Sequence, residues 1–194
     1  PGAISCLSRE ISMEIRDKLL REDPSMINRL SEMREKIFLE AGIRSGYTRN
    51  ESSIMANEAF RIFFEGRNKV NFYEGVIETL DLLKSNYSLG VITNGNADLE
   101  MIGISDYFDY ILTPAELNTH KPDPLMFEAA VKATGFKAGE ICHVGDHPIN
   151  DVKASYEFGN KSIWFKEDGK ELELDIEVPY FSHWRDLPGL LENI

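Results

Sequence analysis

Three short polar clusters carry residue types able to handle an anion and a hard cation. The first is Thr93-Asn94-Gly95-Asn96, directly after the apolar run 88–93. A hydroxyl, backbone N–H groups and a glycine that permits close approach suit a phosphate oxygen. The same residues also make an ordinary strand-to-helix turn with an N-cap. The second is Lys121, in His120-Lys121-Pro122-Asp123-Pro124. A lysine just before a helix that starts on proline would add a fixed cation to an anion site, and the flanking prolines stiffen its loop. Most lysines are simply solvated, so the alternative is a surface residue. The third is Gly145-Asp146-His147-Pro148-Ile149-Asn150-Asp151, after the apolar run 141–144. Two carboxylates five apart suit Mg²⁺, which takes one or two carboxylates plus water and phosphate oxygens. Alternatively, Asp146 turns the chain and Asp151 caps the next helix.

Other chemistries lack support. His120, His143 and His147 have no second His or Cys at zinc-ligand spacing. His143 stands within an apolar strand and reads as a core residue or a support for the site. No G-x-S-x-G elbow occurs, and neither a dinucleotide nor a P-loop glycine pattern occurs.

These clusters need elements to hold them. Ile11, Ile15, Leu19 and Leu20 recur at helical spacing, as do Ile27, Leu30, Met33, Ile37 and Phe38, with Ala41-Gly42 predicted to end that run. A third set runs through Ile54, Ala59, Ile62, Phe63 and Phe64. The spacing predicts a small all-α unit over residues 1–69. From Val70 the pattern alternates. Helices are predicted over Gly75 to Ser85, Asn96 to Ile102, Pro124 to Thr134 and Val152 to Phe158. Strands are predicted over 88–93, 110–112, 141–144 and 162–165, with a short edge strand over 178–181. Strand–helix alternation implies βαβ units and a parallel sheet over residues 70–194. Ligands in such sheets bind beyond the carboxyl ends of the strands, where all three clusters fall.

The chain has 194 residues, with 33 acidic against 21 basic side chains and a formal net charge of −12. That balance argues against general nucleic-acid binding, which needs a basic face. It leaves room for a locally positive site for a small anionic substrate. No apolar run reaches the roughly 20 residues of a membrane span, and Arg9, Glu10 and Glu14 do not read as a signal peptide. Cys6 and Cys142 are the two cysteines, which fits a reducing, cytoplasmic setting.

Taken together, strand then Thr93-Asn94-Gly95, Lys121-Pro122-Asp123-Pro124, and strand then Gly145-Asp146 with Asp151 resemble the second, third and fourth motifs of the haloacid dehalogenase superfamily. The resemblance runs from about Phe72 to Phe165, and the preceding helices resemble that superfamily's α-helical cap. The strings Ile92-Thr93-Asn94-Gly95-Asn96-Ala97, Asp106-Tyr107-Phe108 and His143-Val144-Gly145-Asp146 look like a bacterial phosphatase branch. That branch includes an enzyme that removes phosphate from a riboflavin-pathway intermediate. The resemblance implies an α/β fold, a Rossmann-like parallel sheet core with a small cap. It implies Mg²⁺ as cofactor and a small phosphorylated metabolite as substrate. By position, Thr93 would bind the transferring phosphoryl group, helped by the Asn94 backbone and Gly95. Lys121 would neutralise its charge. Asp146 would bind Mg²⁺, and Asp151 would hold the metal's water or orient Lys121.

The family's first motif, Asp-x-Asp-x-Thr on the first and central strand, supplies the carboxylate that forms an aspartyl-phosphate and the general acid–base. None of the twelve aspartates here stands two residues from another. Either Ala3-Ile4-Ser5-Cys6-Leu7 is a relic of that strand, with Leu7 and Arg9 in place of the two Asp, or about 40 residues of an ordinary family member would precede Pro1. The resemblance of 11–21 to a mid-cap helix favours the second. The sheet would then lack its central strand, to be completed by residues 1–8, a partner copy or a separate segment. The expected function is phosphomonoester hydrolysis, with this chain alone inactive. The alternatives are a non-catalytic phosphate-binding regulatory domain and a halide-removing dehalogenase. A receiver-type signalling domain fits poorly, since it needs an early acidic pair and no helical first third.

Overall fold

The computed structural model describes residues 7–167 and 174–194. In chain order the helices are α1 (Arg9–Glu22), α2 (Leu30–Arg44), α3 (Arg49–Arg67), α4 (Val76–Lys84), α5 (Leu99–Ile102), α6 (Pro114–Leu117), α7 (Pro124–Thr134), α8 (Ala154–Phe158) and α9 (Leu187–Leu191). The strands are β1 (Gly90–Ile92), β2 (Tyr110–Leu112), β3 (Cys142–Gly145), β4 (Lys161–Phe165) and β5 (Tyr180–Phe181). No helix among the described residues is long and apolar enough to cross a membrane.

The chain divides into two compact units. One takes the described residues up to Val70 together with Gly95–Ile102, and the other takes Asn71–Asn94 and the remainder from Gly103. Beyond the expected residues 1–69, the helical unit therefore takes Val70 and, as the larger difference, Gly95–Ile102. Hydrogen bonds explain it. Asp98 N donates to Asn68 Oδ1 at 2.9 Å, and Asn96 Nδ2 donates to Ser31 Oγ at 3.1 Å.

In the helical unit, Ile15 of α1 packs with Met33, Ile37 and Ala41 of α2 and with Met26 of the connecting 3₁₀ turn. Leu7 packs on this cluster and Arg9 opens α1. The proposed relic strand at Ala3 to Cys6 lies outside the described residues. Ser8 caps α1, and Thr48 with Glu51 forms a capping box at the start of α3. Contrary to expectation, Ala41-Gly42 does not end the second helix, which runs on to Arg44. Gly42 serves a crossing instead. A Cβ placed there would lie 2.9 Å from Ser52 Cβ of α3. The residue is glycine because two helix backbones approach closely, a reason that a stop signal mimics in sequence.

The second unit is a parallel α/β fold. β1 pairs with β2, matching Gly90 with Tyr110 and Ile92 with Leu112. β3 pairs with β4 and β4 with β5, all parallel. No ladder joins β1 to β3 among the described residues, so the sheet comes in two pieces. Phe165, Phe181 and Trp184 form a triangle of rings with centroids 5.3–5.4 Å apart. Leu83, Ile163 and Leu187 complete that core. Aromatic pairs of this kind contribute about 0.5–1.5 kcal/mol each beyond their buried area.

Two helices differ from expectation. Only Leu99–Ile102 of the predicted helix 96–102 is helical, because the Asp98 side chain takes the N–H groups of Glu100 and Met101 and starts the helix there. The helix predicted from Val152 begins earlier, as a π-helical turn over Pro148–Lys153, and becomes α-helical only at Ala154.

Two outcomes are expected. Gly42→Ala should lower stability by about 1–3 kcal/mol through the clash with Ser52, whereas Gly66→Ala, in open space, should be neutral or stabilising by up to about 1 kcal/mol. Urea denaturation of both variants checks this. Burial pushes the free Cys142 thiol from 9.0 up to about 11. Its thiolate at pH 8 is then about a hundredfold scarcer than in the unfolded chain. Iodoacetamide labelling at Cys142, located by mass spectrometry, should slow by a similar factor relative to the urea-unfolded protein.

Candidate functional site

The site is built on the free edge of β1. Thr93 N–H points to β2 and donates to Leu112 O at 3.1 Å. The Ile92 carbonyl belongs to the same planar trans peptide and so points the other way, to the edge without a strand partner among the described residues. Lys121 Nζ donates to that carbonyl at 2.6 Å. The ammonium therefore sits at the end of β1, directly below the Thr93-Asn94 turn.

Lys121 is held there from two sides. Asn94 clamps its backbone, with Nδ2 donating to Lys121 O at 2.8 Å and Oδ1 accepting from Lys121 N at 2.7 Å. Asp123 caps α7 by accepting from Leu125 N, which fixes the far end of the loop. The ammonium then pairs with Asp151 Oδ1 at 2.5 Å, with both side chains less than a tenth exposed.

Asp151 is fixed equally well. His147 N donates to Oδ2 at 3.0 Å, and His143 Nε2 lies 3.4 Å from Oδ1. A Cβ on Gly145 would come within 2.3 Å of Asp151 Cβ, so glycine there lets the π-helical turn fold back onto the end of β3. Burial pushes the Asp151 carboxyl up, but the His143 ring and the Lys121 ammonium outweigh it and hold the group well below the usual carboxylate range. Burial is also the main reason that the His143 imidazole is pushed down, despite its contact with Asp151. His143 packs edge-on against Phe127, with centroids 5.3 Å apart, as a core residue that also touches the site.

Asp146 stands between Gly145 and His147, both of which contact Asp151. It is exposed, and its backbone carbonyl accepts from Trp164 Nε1 at 3.1 Å. His147 Nδ1 accepts from Ile149 N and Asn150 N and so caps the π-helical turn. The structure thus brings the Thr93-Asn94 turn, Lys121, and the Asp146 and Asp151 loop to one place. Gly95 begins the segment that groups with the helical unit. The side-chain clamp by Asn94 and the Trp164 tether were not foreseen. A strand-end Asn and a strand Trp carry no local signal of those contacts.

As a metal site the arrangement is partial. Both oxygens of Asp151 are engaged by protein donors, whereas the exposed Asp146 carboxylate suits a hard cation. No group of three metal-ligating side chains gathers among the described residues. A complete Mg²⁺ shell would need water, phosphate oxygens or a further carboxylate beside Asp146.

Comparison with known proteins places this geometry. The family model for haloacid dehalogenase-like hydrolases matches residues 10–165. The 5-amino-6-(5-phospho-D-ribitylamino)uracil phosphatase YigB of Escherichia coli is 26% identical over 170 residues, covering 88% of this chain and 71% of the relative. A glyceraldehyde 3-phosphate phosphatase of Pyrococcus furiosus is 33% identical over 120 residues, covering 58% of this chain and 50% of the relative. Among solved structures, the 2-haloacid dehalogenase from Pseudomonas syringae pv. Tomato DC3000 superposes with a TM-score of 0.91 at 36% identity. That match covers 96% of this chain and 82% of the other. The family resemblance read from the motifs is met by these matches.

Removing one member of the buried pair should be costly. Asp151→Asn is expected to destabilise by about 3–5 kcal/mol, because Lys121 keeps a buried charge without its counter-ion. Adding Lys121→Met should recover part of that loss. Metal-free urea denaturation in EDTA checks both. The Asp151 carboxyl is depressed in the folded state, so its contribution is complete above the unfolded value of 3.8 and is lost as pH falls towards the folded value. Asp151→Asn should lack that part of the acid slope.

Proposed function

The chain belongs to the haloacid dehalogenase-like hydrolases. On that premise we propose that its site serves Mg²⁺-dependent hydrolysis of a small phosphomonoester, the attacking carboxylate coming from a segment outside this sequence. The buried Lys121–Asp151 pair on the open edge of β1 carries this reading. It fixes a cation at the strand ends, beside a turn that carries a hydroxyl and a glycine. Phosphoryl transfer asks mainly for positioning and charge neutralisation, and this cation supplies both. The phosphatase relatives support the reading.

Each residue has a distinct task. Thr93 and the Asn94 backbone hold phosphoryl oxygens, and the Asn94 side chain keeps Lys121 beside them. Lys121 neutralises charge on the phosphoryl group. Asp151 orients Lys121, since both of its oxygens face protein donors. Asp146 would hold Mg²⁺, which when bound would neutralise further charge on the same group. The edges of β1 and β3 without a strand partner among the described residues are where a strand bearing paired aspartates would complete both the sheet and the site.

The 2-haloacid dehalogenase match favours a second reading, halide removal. The exposed Asp146 carboxylate sets the two apart, because a hard-cation ligand has no task in halide displacement without metal.

This chain should release phosphate from p-nitrophenyl phosphate with Mg²⁺ at no more than background rate, and Lys121→Gln should abolish its binding of inorganic phosphate in calorimetry. Robust turnover by the chain itself would refute the nucleophile deficit. A protein lengthened with the coding segment upstream of Pro1 should gain Mg²⁺-dependent phosphate release. Phosphate binding without turnover in that protein would support the regulatory-domain alternative. Chloride release from 2-chloropropionate without Mg²⁺ would support the dehalogenase.

A further inference from the structure

A cavity of about 340 Å³ lies wholly within the helical unit, and its charge opposes that of the chain. Arg16 of α1, Arg34 of α2 and Arg67 of α3 line it, and no carboxylate does among the described residues. Each arginine stands four residues after another lining residue on its own helix: Ser12, Leu30 and Phe63. That spacing places each pair on one helix face. In a protein of net charge −12, three guanidinium groups around one cavity are not a random draw.

These cations are poorly compensated. The Arg34 and Arg67 side chains have no hydrogen bond or ion pair with any described residue. Arg34 lies over the Phe63 ring, 4.7 Å from its centroid. Stacking holds the guanidinium plane while its in-plane N–H donors stay available. Arg16 approaches only Asp17 Oδ1, at 3.7 Å, in an exposed pair of little strength. Three like charges repel one another, and an anion between them removes that repulsion. Apolar side chains, Met33 and Ile37 among them, form the rest of the wall.

We infer that this cavity is a recognition site for the oxyanion of a small, partly apolar organic molecule. The oxyanion is a carboxylate or a phosphate, either of which a guanidinium fork accepts in two-point fashion. The apolar wall takes the body of the ligand, and the volume sits at the small end of metabolite pockets. Asn96 also lines the cavity and stands three residues after Thr93 in sequence, so one stretch of chain serves both places. The inference does not require the phosphoryl reading of the Thr93–Lys121 site.

The test uses three probes with one ring and different heads: benzoate, phenylphosphonate and neutral benzyl alcohol. NMR titration of the whole protein follows the Nε–H signals of Arg34 and Arg67. At least one anion should shift these signals and bind about tenfold or more tightly than benzyl alcohol. Whether benzoate or phenylphosphonate wins identifies the head group. Arg34→Gln with Arg67→Gln should abolish the preference for the anion. Arg34→Lys, which keeps the charge but loses the fork, should weaken it while leaving the fold intact. Lys121→Gln should leave it unchanged. Equal binding of all three probes would overturn the inference. So would anion binding that survives the double arginine variant and disappears with Lys121→Gln, which would put the anion at the phosphate turn instead.

Discussion

A lysine ammonium buried against a carboxylate organises the second unit around the ends of its strands. Lys121 reaches the Ile92 carbonyl on one side and Asp151 on the other. One charge pair therefore ties the end of β1 to the turn that follows β3, although no ladder joins those strands among the described residues. Burial makes each charge costly alone, so the pair depends on further partners for its two members. The Ile92 carbonyl meets the ammonium, His147 N–H and the His143 ring meet the carboxylate, and Asn94 holds the Lys121 backbone. The same pairing that holds the loops together leaves a fixed cation where a phosphoryl group can use it.

The sheet of the second unit comes in two pieces among the described residues. A cation, a hydroxyl and a carboxylate can bind and neutralise, but displacement at phosphorus needs an attacking group as well. Of the nearby carboxylates, Asp151 has both oxygens engaged by protein donors, and Asp146 is exposed. The edges of β1 and β3 that have no strand partner among the described residues accord with the proposal that a further segment completes both sheet and site.

The helical unit follows a different logic. Its core comes from apolar residues at helical spacing, and Gly42 permits the crossing of α2 with α3. Around a cavity walled in part by the core residues Met33 and Ile37, arginines four residues after their neighbours converge from three helices. An acidic protein can thus hold a local positive cavity, since nearby fixed charge outweighs distant charge screened by solvent.

Much of this was legible in the residues. β1, β2 and β5 lie within the predicted runs, β3 and β4 each overrun theirs by one residue, and α7 starts on Pro124 and stops before Gly135 as its caps require. The three site clusters and their order were readable because each is a local motif tied to a strand end. Ala41-Gly42 misled because a stop signal and a close crossing both select glycine. His147 proved to be a cap, and the π-helical turn was invisible, because both depend on how the chain folds back onto Asp151. By itself the sequence determined the main helices, the strands to within a residue and the three polar clusters, since periodicity and caps act within a few residues. Only the tertiary structure decided the Lys121–Asp151 pair, the Asn94 clamp and the arginine cavity, because those contacts join residues tens of positions apart and depend on packing geometry.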